Sequence, residues 1–324
     1  MLKNSRRGGT GRRDGLKIRF PQGSVGSTPS AGKFFTVNFG QAAAEVFLPD
    51  GSPAKAALAR ITHLGIGAHQ DDLEFMAFEG ITECVGPSDR WFAGVTCTDG
   101  AGSARSGAYA GLSDAEMADL RRAEQRAAAV EGGYGAMIQL GYASSEVRDR
   151  SDARLREDLR GILEAMKPEV VYTHNLADKH PTHLAVVRAV IEAMRALPRE
   201  QRPPRVIGCE MWRDLDWLLD DEKVVMDVSG HEALAAKLAA CFASQIGGGK
   251  RYDLAVEGRR AANATFADPR TADGATKVIF GMDLTPLIED EALDPGEYVD
   301  AMIERFRRAV RTSHSRVRET AEGK

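Results

Sequence analysis

The stretch "RITHLGIGAHQDDLEFM", Arg60–Met76, decides the fold. Its first half is apolar and small and reads as a buried strand over 60–69. Its second half packs His69, Asp71, Asp72 and Glu74 into six consecutive positions, and a core strand does not ordinarily end that way. Taken alone, a His-x-Asp-Asp run after a strand is most often a helix N-cap, because Asp is favoured there. The next residues, "EFMAFEGITECV" over 74–85, are helical in spacing, so the unit reads strand–turn–helix.

The same alternation continues along the chain. Strands are expected at 90–100, 136–142, 169–174, 204–212 and 223–229, and helices at 113–133, 152–168, 183–197 and 231–246. Ser113 stands three residues before Glu116, a capping-box pattern, and Gly132-Gly133 closes that helix. After Gly249 the pattern loosens, with one late strand expected in "KVIFGMDLTPL" and one late amphipathic helix in "PGEYVDAMIERFRRAVRT". Strands alternating with helices predict an α/β chain, a Rossmann-like three-layer fold with a mostly parallel sheet. The expected organisation is a tail over 1–34, a catalytic domain over 55–265 and an extension over 266–324 that packs on the same domain.

Composition removes several classes. The chain has 324 residues, is 43% apolar and 28% charged, and has no apolar run near the roughly 18 residues a helix needs to span a bilayer. Cys84, Cys97, Cys209 and Cys241 are far apart and make no Cys-x-x-Cys pair, which argues against a disulfide framework and for a reducing, cytoplasmic setting. The net charge of −4 divides into +7 over 1–34 and −11 over the rest, so the body is acidic and no nucleic-acid partner is expected. The tail lacks the apolar core of a secretory signal. Its "GGTGRRDGLKIRFPQGSVGSTPSAG" resembles the conceptual translation of a transfer-RNA gene, so residues 1–34 are expected to lie outside the natural protein.

In open α/β sheets ligands sit beyond the carboxyl ends of the strands. Two clusters fall there: His69-Gln70-Asp71-Asp72 after the 60–69 strand, and Asp178-Lys179-His180-Pro181-Thr182-His183 after the 169–174 strand. His69 and Asp72 are one turn apart, and so are His180 and His183. His69, Asp72 and His183 would make a two-histidine, one-carboxylate set, which suits Zn²⁺ with an open position and also suits Fe²⁺ or another divalent ion. Asp71 is then free to act as general base and acid, and His180 to donate to an oxyanion. His63 lies inside its strand and is expected to be structural, and His174 to lie behind the ligands or make a structural hydrogen bond.

At these residues the chain resembles the PIG-L/LmbE-like N-acetylglucosaminyl deacetylase family. The family pattern Ala-His-Pro-Asp-Asp-Glu stands here as "AHQDDL", 68–73, and its His-Pro-Asp-His as "HPTH", 180–183. Weaker matches are Thr98-Asp99-Gly100, Arg121 with Glu124, and Ser244-Gln245. The resemblance implies an LmbE-like fold and zinc-dependent removal of an acetyl group from an N-acetylated amino sugar or glycoconjugate. It also implies that His69, Asp72 and His183 bind the metal, that Asp71 is the base and that His180 assists the oxyanion. Three departures stand out: Gln70 for proline, Leu73 for glutamate and Thr182 for aspartate. Asp178 is available to compensate for Thr182 or to contact substrate. Trp212 and Arg213 are expected beside a sugar, with Trp217 five residues on, and Arg105 in a loop over 100–112 long enough to be a lid. Other readings of the same residues are an amidase for another small amide or thiol-sugar conjugate, and a sugar-binding module without catalysis. A homo-oligomer is compatible with all of them.

Overall fold

Neighbouring residues on the central strands belong to two different cores, which is how one sheet comes to carry helices on both faces. The computed structural model describes residues 39–86, 89–247 and 250–322, and the tail expected over 1–34 lies outside them. The strands are β1 (Glu45–Phe47), β2 (His63–Gly67), β3 (Phe92–Thr98), β4 (Ala136–Tyr142), β5 (Val170–His174), β6 (Arg205–Cys209), β7 (Lys223–Asp227) and β8 (Val278–Asp283). The helices are α1 (Ala54–Ala59), α2 (Asp72–Met76), α3 (Phe78–Cys84), α4 (Asp114–Glu131), α5 (Ser144–Arg148), α6 (Arg154–Met166), α7 (Pro181–Arg195), α8 (Glu232–Ala240), α9 (Ala243–Ile246), α10 (Tyr252–Thr265), α11 (Thr285–Glu289) and α12 (Pro295–Glu322).

Leu64 and Ile66 of β2, Val95 of β3 and Val171 of β5 enter a core shared with Leu159 of α6 and Val190 of α7. Phe92 of β3, Met137 of β4 and Tyr172 of β5 enter the other, with Leu73 of α2, Ile81 of α3, Ala128 of α4 and Leu238 of α8. The result is the expected three-layer α/β arrangement with a mixed, mostly parallel sheet of order β1-β4-β3-β2-β5-β6-β8-β7. The inner run from β4 to β6 is parallel. β1, β8 and β7 join antiparallel. The chain builds outward from β2 through β3 to β4, then returns to place β5 on the other side of β2. That reversal leaves a crevice at the carboxyl ends of β2 and β5, and both histidine-bearing clusters open onto it.

Several boundaries differ from those the sequence predicts. The helix expected over 74–85 breaks at Ala77 (φ −99°, ψ 23°) into α2 and α3. The helix expected over 231–246 breaks at Cys241-Phe242 into α8 and α9. Apolar spacing continues across both breaks and so does not reveal them. The body begins before residue 55, because β1 pairs with β4. A three-residue edge strand is too short to show a period. α10 occupies the segment after Gly249 where the pattern loosens, and β8 lies between β6 and β7, so residues beyond 265 complete the sheet itself. The four cysteines are unpaired, and among the described residues no helix is long and apolar enough to cross a membrane.

The segment leading into β1 is tethered by Asp158 of α6. Its buried carboxylate accepts the Gly40 N–H at 2.9 and 3.1 Å and the Tyr142 hydroxyl at 2.6 Å. Asp158→Ala should therefore lower the unfolding free energy by about 1–3 kcal/mol, the cost of leaving such partners unsatisfied. Urea unfolding would measure it, and an unchanged midpoint would dismiss the tether.

Candidate metal and catalytic site

The turn after β2 is held in a conformation most residues avoid. Asp71 has φ 94° and ψ −25°, and only Lys167 shares a positive φ among the described non-glycine residues. Such a residue persists where its surroundings over-determine it. Here the Asp71 N–H donates to Gln125 Oε1 at 3.2 Å, and its carboxylate accepts from Arg121 Nη2 at 2.9 Å. Arg121 also donates to the Gln70 carbonyl and, at 2.7 Å, to Glu124. Glu124 in turn accepts the Ser244 N–H at 2.7 Å and its hydroxyl at 2.8 Å. Gln70 turns away from the crevice and donates to the Thr98 carbonyl at 3.0 Å. Gly100, at φ +75°, leaves room for this, because a Cβ there would lie 2.5 Å from Gln70 Oε1 and 2.9 Å from Arg121 Cβ. Thr98, Gly100, Arg121, Glu124 and Ser244, dispersed in sequence, are thus one network around the turn.

The turn brings three atoms together. His69 Nδ1 lies 3.2 Å from His183 Nε2 and 3.3 Å from Asp72 Oδ2, and His183 Nε2 lies 3.5 Å from the same oxygen. Ligand atoms about 2.0–2.1 Å from a tetrahedral ion stand roughly 3.3 Å apart, so this triangle has the dimensions of one face of such a site. The electrostatics agree. Burial pushes Asp72 up, but His183, His174 and His69 outweigh it and hold the carboxylate well below its ordinary range. Burial and the charge of His174 push His183 down to about 4, which leaves it the neutral imidazole that a metal needs. Burial works against a charged His69, yet Asp72 raises its pKa, and the field that draws a proton there would equally draw a cation. His69, Asp72 and His183 could therefore hold a divalent ion.

Two neighbouring histidines offer alternative sets with these residues, His180 and His174. His174 Nε2 accepts the Ala68 N–H at 2.9 Å, so it cannot also donate to Asp72 Oδ2 at 3.3 Å. The His174 ring lies flat on His183, with centroids 3.7 Å apart and 15° between planes, so their lone pairs run side by side and do not converge. We read it as the packing wall behind the ligands. His180 Nδ1 accepts the Thr182 N–H at 3.3 Å, which puts the proton of the neutral ring on Nε2.

The remaining residues expected here separate into two groups. Trp212 lines the crevice, a cavity of about 450 Å³ that also holds His69, Asp71, Asp72, His180 and Tyr252. Asp178 does not reach it: its buried carboxylate faces His183 Nδ1 at 3.4 Å and accepts the N–H groups of His180 at 2.9 Å and Trp212 at 3.2 Å. The carboxylate expected at the substrate thus sits against His183, away from the cavity lining. Arg105 pairs with Asp114 and the Ala101 carbonyl, and Arg213 with the Ala177 carbonyl, so neither lines the cavity. Trp217, half-buried, packs against the core. Leu73 is buried against the same core as Met76, so the family's glutamate position carries packing here. Glu74, expected on the helix surface or behind the site, is buried, pushed up to about 7 by burial, and takes hydrogen bonds from Tyr134 at 2.7 Å and Gln125 at 2.8 Å. Lys250 and Tyr252, which also line the cavity, come from a segment without legible periodicity, and no sequence signal singled them out.

Fold and site together define an α/β protein with a histidine–carboxylate cluster, capable of holding a metal, at the switch point of its sheet. The family model PIG-L, described as GlcNAc-PI de-N-acetylase, matches residues 64–194, from β2 to the end of α7. Over that stretch, less than half of its length, the chain is similar to the PIG-L family. No curated protein matches the chain. Among solved structures, it is similar to a conserved protein from Thermus thermophilus at 17% identity and a TM-score of 0.56, covering 69% of this chain and 94% of that one. It is similar to the 4-carboxy-2-hydroxymuconate hydratase of Pseudomonas putida at 20% identity and a TM-score of 0.54, covering 69% and 96%. It is also similar to the N,N'-diacetylchitobiose deacetylase of Pyrococcus horikoshii at 16% identity and a TM-score of 0.54, covering 75% and 90%. At these identities the likeness is one of fold.

If Asp178 orients His183, Asp178→Ala should weaken divalent-metal binding by roughly 10–100-fold while leaving the fold intact. Competition titration against a chromogenic chelator measures this, and unchanged affinity would remove Asp178 from the site.

Proposed function

We propose that the chain is a zinc-dependent N-deacetylase acting on an N-acetylated amino sugar or glycoconjugate, a small substrate met in the cytoplasm. One observation carries the reading. Three ligand atoms stand within 3.5 Å of one another, and a carboxylate outside the set, Asp71, and an imidazole, His180, line the same cavity. The PIG-L match over the segment that supplies all five residues supports it.

Zinc, when bound by His69, Asp72 and His183, supplies an acidified water and a polarised carbonyl. Amide hydrolysis further needs a group that takes the proton of the attacking water and delivers one to the leaving nitrogen. Asp71 fits both tasks. Burial pushes its carboxyl up to about 6, against the pull of Arg121 and with Asp72 adding to the rise, so it is ionised at neutral pH and readily reprotonated. Arg121 fixes its direction through Oδ2. Across the cavity, His180 carries its proton on Nε2 and can donate it to the carbonyl oxygen as negative charge gathers there. Burial, and then the charge of His69, lower the His180 pKa, so it acts as a neutral donor. Among the described residues the Thr182 hydroxyl has no hydrogen-bond partner, so it does not hold His180 as the family's aspartate would.

Asp71→Asn should lower kcat for acetate release by roughly 10²–10⁴-fold while the protein still carries close to one equivalent of zinc, whereas His69→Ala should lose the metal. Purified protein that neither contains a divalent metal nor gains amidase activity on adding Zn²⁺ would overturn the assignment. The acidic limb of kcat/KM follows from the base. Activity needs ionised Asp71, is present above its pKa and is lost as pH falls through it. A cation beside Asp71 can only lower that pKa, so the limb should lie at or below about 6. A limb well above pH 6 would exclude Asp71 as the base.

A further inference from the structure

The crevice does not end at the catalytic side chains. Beside it, on the other side of Trp212 and Tyr252, lies a second cavity of about 320 Å³, within the range of small-molecule sites. The two cavities share Phe75, Met211, Trp212, Lys250 and Tyr252 as a common wall. Trp212 and Tyr252 meet edge to face, with centroids 5.9 Å apart and 83° between planes, so the shared wall is aromatic. Val256 and Ile279 continue the apolar lining beyond them.

The charge of this second cavity is one-sided. Lys250, Arg251, Arg259 and Arg260 line it against one acid, Glu210. Glu210 is already engaged, accepting from Asn263 Nδ2 at 2.5 Å and the Phe280 N–H at 3.1 Å. Arg260 pairs with Glu257 at 3.1 Å, and Arg251 with Asp253 at 2.7 Å. Lys250 and Arg259 form no ion pair among the described residues. Lys250 Nζ stands 4.6 Å above the Trp212 ring, and Arg259 Nη1 donates to the Met211 carbonyl. Two cations without an ion pair on an apolar hollow with aromatic walls select a flat ring that carries an anion.

We propose that this cavity is an aglycone subsite, and that the substrate is an N-acetylated amino sugar joined to an anionic aromatic group. The proposal rests on the deacetylase reading and deepens it. The sugar's N-acetyl group lies at Asp71 and His180, and the aglycone reaches past Trp212 to Lys250 and Arg259.

The test is acetate release from N-acetylglucosamine and from its phenyl, 4-carboxyphenyl and 4-(aminomethyl)phenyl glycosides. Expected is kcat/KM falling in the order carboxyphenyl, phenyl, aminomethylphenyl, with at least tenfold between the extremes and most of it in KM. Lys250→Gln and Arg259→Gln should each shrink the carboxyphenyl-to-phenyl ratio, and Val256→Phe, which fills the cavity, should bring it close to one. Equal turnover of the two charged glycosides, or a ratio that survives all three substitutions, overturns the subsite. Quenching of tryptophan fluorescence by the carboxyphenyl glycoside gives a readout independent of turnover, expected to weaken at least tenfold in the Lys250→Gln, Arg259→Gln double variant. Variant-sensitive quenching without acetate release from any glycoside would sustain the subsite and sink the deacetylase reading. Acetate release with neither charge preference nor variant-sensitive quenching would do the reverse.

Discussion

The site depends on one buried guanidinium. Arg121, 1% exposed, is surrounded by the Gln70 carbonyl, the Asp71 carboxylate and Glu124. A charge so far from water costs several kcal/mol unless it is paired, and a buried pair is weak evidence for stability. What this one provides is position. It pins the turn after β2, in which Asp71 takes a left-handed conformation, and through Glu124 and Ser244 it couples that turn to α4 and α9. Without the turn, His69 and Asp72 would not point at the same place as His183.

The pinned turn also divides the work of two adjacent carboxylates. Asp72 is surrounded by three histidines and kept well below its ordinary pKa, which suits a ligand that must stay charged. Asp71, one residue away, faces a single guanidinium, and burial lifts it to about 6, which suits a group that gains and loses a proton. Environments that push neighbouring titratable groups apart are how one site separates holding a charge from moving one. The second cluster repeats the division. His183, with Asp178 behind it, faces His69 and Asp72, and His180, three residues earlier, faces the cavity.

Much of this was legible because it is local. The alternation of strand and helix, the capping box at Ser113 and the spacing within "AHQDD" and "HPTH" are properties of short segments. The breaks at Ala77 and at Cys241-Phe242 were not, because apolar spacing runs on through them. Nor was β8, which completes the sheet from a segment that looked like an appendage. Gln70 is a further case. Its side chain fills the space above Gly100, 30 residues away, and donates to the Thr98 carbonyl, a placement that no local pattern announces.

The sequence by itself determined that this is an α/β chain and that its chemistry sits at the ends of two strands, since periodicity and motif spacing are short-range. It nominated His69, Asp72 and His183 for the same reason. Only the tertiary structure decided which residues stand behind them. Asp178 and His174 stand against His183, Arg105 and Arg213 turn to carbonyls and acids elsewhere, and Trp212 faces the cavity while Trp217 packs against the core. Those outcomes depend on which groups are left unpaired once helices from distant parts of the chain close over the crevice, and no local pattern encodes that competition.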